Sequence, residues 1–288
     1  MAADQASKLR EESARRAIGA MGPEPRVIAI TSGKGGVGKT NLTANLGICL
    51  AEQGHRVLLL DADLGAANLD VLLGLFPQYS LYEVIRGERT LEEVIVTGPS
   101  GIQLIPGASA FNEMTYLEKL KKEQIERRLR IFTQQQDFLL IDTGAGISRN
   151  VLAFISAANE VIVVLTPEPT SMADAYGLLK LICRFDLNQK IHMVINMADS
   201  ILEATQTAGR MLSVSSQFLQ KDINILGYIL DDNYVRQAVR QQVPFVQRYP
   251  KSRTSQQVRE IAAALTKEKF VGGAVKSGFV AKLLQFFG

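Results

Sequence analysis

Short apolar runs alternate along the chain with longer stretches of helical period. The runs are VIAIT at 27–31, VLLLDA at 57–62, FLLIDT at 138–143, VIVVLT at 161–166, HMVIN at 192–196 and ILGYIL at 225–230. They are continuous rather than alternating, which suits strands buried on both faces of a parallel sheet. Between them, 40–53, 148–157, 171–185 and 202–220 carry apolar residues at helical spacing. The alternation predicts an α/β fold, a mostly parallel twisted sheet with helices on both faces. Residues 1–25 are a polar, helix-prone arm closed by Gly22-Pro23-Glu24-Pro25, a linker signal. The expected domain spans 26–266, and 267–288 are a Gly-containing tether and a last segment. That segment, if helical, gathers Phe279, Val280, Leu283, Leu284, Phe286 and Phe287 on about half of its wheel.

Composition narrows the function classes. The 288 residues suffice for one large α/β domain or two small ones, and 47% apolar against 21% charged residues argues against a mainly disordered chain. Lys and Arg number 32 against 29 Asp and Glu, a net +3. That balance is too even to hold nucleic acid by bulk charge, and no direct nucleic-acid binding is expected. Cys49 and Cys183 form no CxxC, which excludes a disulfide framework and argues against an iron–sulfur or Cys-zinc site. No run of 18 apolar residues and no secretory h-region occurs, so a cytoplasmic protein is expected.

Candidate chemistry begins at Gly33-Lys34-Gly35-Gly36-Val37-Gly38-Lys39-Thr40. This is GxxxxGK[ST] between a predicted strand and a predicted helix, the setting a phosphate loop needs. Its glycines let successive N–H groups face phosphate oxygens, and the helix N-terminus adds positive potential. Lys39 reaches the β/γ-phosphates and the Thr40 hydroxyl ligates Mg²⁺; Asn41 follows in the same nucleotide site. Carboxylates close two strands, Asp61 and Asp63 after the second run and Asp142 after FLLI, where ligands of open α/β sheets lie. Asp142 has the Walker B arrangement for Mg²⁺. Each also has a structural alternative: a helix cap for Asp63 and Asp142, a local hydrogen bond for Asp61. Asn196 closes a later strand and can read the adenine edge or make an Asx turn. No guanine-reading NKxD occurs, so ATP is favoured over GTP.

KGGVGKT resembles the deviant Walker A family, which includes MinD, ParA and the nitrogenase iron protein. The resemblance implies an ATPase whose extra lysine, Lys34, reaches the partner's phosphates in an ATP-bound homodimer, the alternative being a solvated loop lysine. DADLGAANLD resembles the MinD-type switch I, in which Asp63 orients the attacking water and Asp61 supports the metal or phosphate network. DTGAGIS resembles switch II, with Gly144 where that family has proline. ILDDNYVRQAVRQQVPF resembles the base-side loop IPxDxxVxxAxxxGxP: Asp232 matches, Leu230 replaces the proline and Gln242 the glycine. TPEPTSMADAY resembles the helix near the partner surface, where Asp174 is the residue to watch, or else part of a solvated face.

Asp4-Gln5-Ala6-Ser7-Lys8-Leu9-Arg10 is by itself a short polar helix start or tail. DQAxxLR resembles the activator motif of the FlhG (FleN/YlxH) family of MinD-like ATPases, which control flagellar number and placement. The resemblance runs through the whole chain. It implies that Gln5, Leu9 and Arg10 stimulate the SRP-type GTPase FlhF. It also implies contact with flagellar switch-ring proteins and, in some bacteria, a flagellar transcription regulator. The last segment reads as a basic, aromatic membrane-surface anchor that places the protein on the inner face of the cell membrane, or as a helix packed back on the domain. Rival functions are a MinD-type division-site regulator, a ParA-type DNA segregator and a nucleotide-bound module without catalysis. An iron–sulfur carrier of the same fold is disfavoured by the missing paired cysteines.

Overall fold

A computed structural model of the chain describes residues 24–63, 68–107, 110, 119–185, 187, 190–219, 221–267 and 278–287. The arm residues Gln5, Leu9 and Arg10 lie outside that set. In chain order the elements are β1 (Arg26–Ser32), α1 (Lys39–Glu52), β2 (Val57–Ala62), α2 (Leu69–Leu73), α3 (Leu81–Arg86), α4 (Leu91–Val94), β3 (Val96–Thr97) and β4 (Gln103–Ile105). Then come α5 (Lys119–Thr133), β5 (Phe138–Ala145), α6 (Arg149–Ala157), β6 (Glu160–Leu165), α7 (Pro169–Arg184), β7 (Lys190–Ala198), α8 (Ile201–Leu219) and β8 (Ile223–Leu230). The chain closes with α9 (Asn233–Arg240), α10 (Phe245–Arg248), α11 (Arg253–Lys267) and α12 (Phe279–Phe287).

The sheet runs β3-β4-β2-β5-β1-β6-β7-β8, with β3 antiparallel to its neighbour and the other pairs parallel. Each apolar run of the sequence is a strand. Alternate residues serve opposite faces: Val27 and Ala29 join one core cluster, Ile28 and Ile30 the other. Both faces are covered, which is why the runs are continuous rather than alternating. The short strands β3 and β4, toward one edge of the sheet, left no run to recognise. Strand order reverses around β1, so the loops after β1, β5 and β2 gather at one crevice beyond the strands' carboxyl ends.

The opposite end of the sheet is tied by buried charge. Arg26 makes a bidentate pair with Glu160, Nε to Oε1 and Nη2 to Oε2, each 2.7 Å. His192 Nε2 lies 2.8 Å from Glu160 Oε2, and Asn224 Nδ2 lies 3.1 Å from His192 Nδ1. Arg26 Nη1 also donates to the carbonyl of Leu265, near the end of α11. The network therefore crosses β1, β6, β7 and β8 and holds the helix that leads to the tether.

The last segment is the helix α12, and its apolar half faces the protein. Phe279, Val280 and Leu283 are buried in the core, with Leu284 and Phe286 packed against it. α12 lies on α5 and α6. Thus the residues expected to meet lipid are, in this structure, part of the domain's packing. The side chain of Phe287 lies outside the described set. Among the described residues no helix is long and apolar enough to cross a membrane.

Burial raises the Glu160 carboxyl, but hydrogen bonds from His192 and Arg26, with their charge, outweigh it and hold it at about 2. Breaking a buried pair by removing one charge costs about 3–5 kcal/mol. Glu160→Gln is expected to lower unfolding free energy at pH 7 by about 3 kcal/mol. Because the folded value lies below the ordinary value of about 4.3, this stabilisation is complete above that pH and lost as pH falls toward 2. Urea unfolding of both proteins as a function of pH checks this: the gap should close on acidification, and equal midpoints at pH 7 would contradict it.

Candidate active site

The loop between β1 and α1 adopts the conformation that its glycines permit. Gly36 and Gly38 have φ of 80° and 86°. Gly38 caps α1 in the left-handed region without a side-chain cap, so the first N–H groups of the helix remain available to an anion. A Cβ at Gly38 would collide with Asn196 Nδ2, and one at Gly33 with the backbone of Asp174. These two close approaches press the loop between β7 and α7.

Lys39 is buried and its Nζ lies 2.9 Å from Asp142 Oδ1. Thr43 Oγ1 donates to the same oxygen at 3.3 Å. Burial pushes the Asp142 carboxyl up; the charge and hydrogen bond of Lys39 and the hydroxyl of Thr40 pull the other way. Asp142 Oδ2 is buried with no hydrogen-bond partner among the described residues. Such an atom calls for a ligand or ordered water. Among the described residues no group of three His, Cys, Asp or Glu is placed to hold a metal. Mg²⁺ commonly takes one or two carboxylates together with substrate phosphates and waters. Asp142 Oδ2 and the Thr40 hydroxyl beside it fit that ion.

Asp61 and Asp142 are register partners on adjacent strands. Burial, and next the Asp142 charge, push the Asp61 carboxyl up to about 6, against three backbone N–H donors that lower it. Its Oδ1 accepts from Asp63 N at 3.2 Å, and its Oδ2 from Asn68 N and Leu69 N at 3.1 and 3.2 Å. Asp61, expected in the metal or phosphate network, here clasps both ends of the switch I loop. Asp63 lines the cleft, and a Cβ at Gly144 would stand 3.6 Å from Asp63 Oδ1. The two switch segments therefore lie near each other, with Gly144 facing Asp63. Gly146 N donates to Ser32 O at 2.8 Å, tying the second switch to the end of β1. Ser148, not Asp142, caps the helix that follows.

The cleft over the loop has a volume of about 420 Å³ and runs from Gly35 to Asp63 and Met197. A second cavity adjoins it, lined by Asn41, Asn196 and the segment 229–232. Asn196 Nδ2 donates to the carbonyl of Val37 at 2.8 Å, so this side chain is anchored to the phosphate loop. Asp232 is the N-cap of α9: Oδ1 accepts from Tyr234 N at 2.8 Å and Oδ2 from Thr254 Oγ1 at 2.9 Å. It stands at the cavity, as its motif implied, but with both oxygens engaged.

Lys34 lies at the rim. Its Nζ is 2.7 Å from Glu168 Oε2 and 3.0 Å from Thr170 Oγ1, at the start of α7. Asp174 is exposed on the same helix, with its backbone against Gly33. Neither Glu168 nor Thr170 was singled out from sequence. TPEPTS reads as a turn, and nothing local ties it to a lysine 134 positions earlier. Thr43 was missed for a similar reason, since a threonine in a helix carries no signal of the strand it will touch.

Fold and site together define a P-loop ATPase of the MinD/ParA type that uses ATP with Mg²⁺. A family model described as an AAA domain matches residues 25–197. The antiactivator FleN of Pseudomonas aeruginosa is 40% identical over 245 residues, 85% of this chain and 87% of that one. The flagellum site-determining protein YlxH of Helicobacter pylori is 31% identical over 271 residues, 91% of each chain. The septum site-determining protein MinD of Pyrococcus horikoshii, solved with Mg-ADP, superposes with a TM-score of 0.68 at 25% identity, covering 84% of this chain and 96% of that one. The chain belongs to the FlhG (FleN/YlxH) family of MinD-like ATPases.

If Asp63 orients the attacking water, Asp63→Ala lowers kcat for ATP by about 10²-fold or more, the scale of a positioned acid–base group. ATP affinity should stay within a few fold. Phosphate release measured with nucleotide binding checks both, and unchanged turnover would remove Asp63 from catalysis.

Proposed function

We propose that this chain is an ATP-driven switch that sets flagellum number or placement. In this reading two copies close over ATP, and Lys34 of each acts on the phosphates bound by the other. The observation that carries it is a complete phosphate site with a second lysine held just outside it. The pair Lys34–Glu168 has side chains 40% and 63% exposed. Exposed pairs contribute about 0–1 kcal/mol, so exchange to a phosphate oxygen is cheap. A positive charge delivered in trans is worth about 10³-fold or more in rate. Val71, Met197 and Val239 line the cleft and are 45%, 40% and 37% exposed, apolar surface that a second copy would cover.

The flagellar role rests on the two flagellar relatives and on the DQAxxLR resemblance. Gln5, Leu9 and Arg10 are proposed to stimulate an FlhF-type GTPase. Asp174, on the helix with Glu168 at its N-cap, is proposed as a partner contact. Flagellar switch-ring proteins and a transcription regulator are further partners of this reading. Membrane residence is proposed to follow release of α12. Arg149 supports the coupling: it is the first residue of α6, directly after switch II, and its Nη2 donates to the carbonyl of Phe286 at 3.2 Å. A loop that moves with nucleotide would move the residue that holds the helix. One short helix binds lipid weakly, and two in a dimer bind far better through effective concentration.

The test is GTP turnover by a purified FlhF-type GTPase with the chain intact, lacking residues 1–20, or lacking 275–288. The intact chain should stimulate, removal of 1–20 should abolish stimulation, and removal of 275–288 should spare it while ending ATP-dependent sedimentation with anionic vesicles. No stimulation by any form would overturn the flagellar reading in favour of a division-site regulator. Vesicle binding that survives the C-terminal deletion would overturn the anchor.

A further inference from the structure

The second cavity is walled by the loop that joins β8 to α9, and this loop is held from behind by α11. Leu230 N donates to Gln257 Oε1 at 3.0 Å. Asp231 N donates to the carbonyl of Ala198 at 2.9 Å. Thr254 Oγ1 donates to Asp232 Oδ2. Gln257 is 8% exposed and Thr254 is 1% exposed; the bond to Leu230 is buried and the bond to Asp232 half-buried. Arg236, which also lines the cavity, is committed to Asp231 through Nη1 and to Asn233 through Nη2.

Two consequences follow. The N–H groups of Leu230 and Asp231 are taken by Gln257 Oε1 and the carbonyl of Ala198, so neither is free to donate to a base placed there. A base edge with an exocyclic amino group suits such a wall, whereas one with a carbonyl finds neither of these two N–H groups free to meet it. Leu230 also stands where the loops it resembles have proline, a residue with no N–H to satisfy. Leucine there adds a buried donor, and such a donor must be partnered. Gln257 supplies the partner across 27 positions of chain.

We infer that Gln257 and Thr254 are positioning residues for the purine base, bracing the loop so that the cavity favours adenine over guanine. The inference rests on the reading that this cavity, beside Asn196, holds the base. Neither residue touches the reacting phosphate, so their loss acts on KM and on base choice and leaves kcat in place.

Steady-state ATP and GTP turnover by the full chain tests this with Gln257→Leu, Leu230→Pro, the double variant and Asn196→Ala. Gln257→Leu, which strands the buried donor, should raise KM for ATP about fivefold or more and narrow the preference for ATP in kcat/KM, with kcat within about twofold. Leu230→Pro removes the donor that Gln257 serves, so Gln257→Leu made in its background should raise KM by less than it does in the parent. A mere packing defect at Gln257 would not show that difference. If Gln257→Leu fails to fold, Thr254→Val, which removes one hydrogen bond at nearly constant shape, takes its place with the same expected rise in KM. An unchanged KM in Gln257→Leu, or a rise as large in the Leu230→Pro background, overturns the brace. An unchanged KM in Asn196→Ala overturns the base-site reading itself. A raised KM in Asn196→Ala beside an unchanged one in Gln257→Leu overturns the brace alone.

Discussion

The pairing of Lys39 with Asp142 organises the site. It joins the phosphate loop to the strand that precedes switch II. Their side chains are 7% and 1% exposed. In so dry a place a lone ammonium or carboxylate is costly, so each needs the other or a substitute. A triphosphate is such a substitute for Lys39. When Lys39 turns to phosphate, Asp142 loses its cation while Oδ2 already lacks a hydrogen-bond partner among the described residues. A carboxylate left in that state suits Mg²⁺, and its strand leads directly into the Gly144–Gly146 turn. The buried pair thus joins the phosphate loop to the strand that leads into the second switch.

The same logic recurs at increasing distance from the phosphate. Asp61 holds the ends of switch I by backbone hydrogen bonds, so a change at its neighbour Asp142 bears on both switches. Lys34 is held by Glu168 at the N-cap of α7, the helix whose backbone also abuts Gly33. Arg149 continues switch II into the C-terminal helix. At the far end of the sheet, Arg26, Glu160 and His192 fix β1, β6 and β7 and the end of α11.

Much of this was legible in the chain itself. The phosphate loop could be read because its chemistry needs contiguous residues, and the strands could be read because burial on both faces demands unbroken apolar runs. The surroundings of two carboxylates were not legible. Asp61 and Asp232 stand where expected, yet their oxygens are engaged by N–H and hydroxyl groups that only the folded backbone brings near. Glu168, Thr170, Thr254 and Gln257 were invisible because each meets its partner across a long stretch of chain or through the sheet. The C-terminal helix shows a different limit. An amphipathic pattern states that one face seeks an apolar neighbour, and a protein groove satisfies that as well as a lipid surface does. In this structure the groove holds it.

The central claim is that Lys34 leaves Glu168 to complete the site of a second copy. Light scattering of the parent chain and of Lys34→Ala, with ATP, with ADP and without nucleotide, tests it most directly when ATP turnover is followed in the same samples. The parent should dimerise with ATP alone, and the Lys34→Ala protein should bind ATP, stay monomeric and not turn it over. A Lys34→Ala protein that dimerises and hydrolyses ATP like the parent would contradict it.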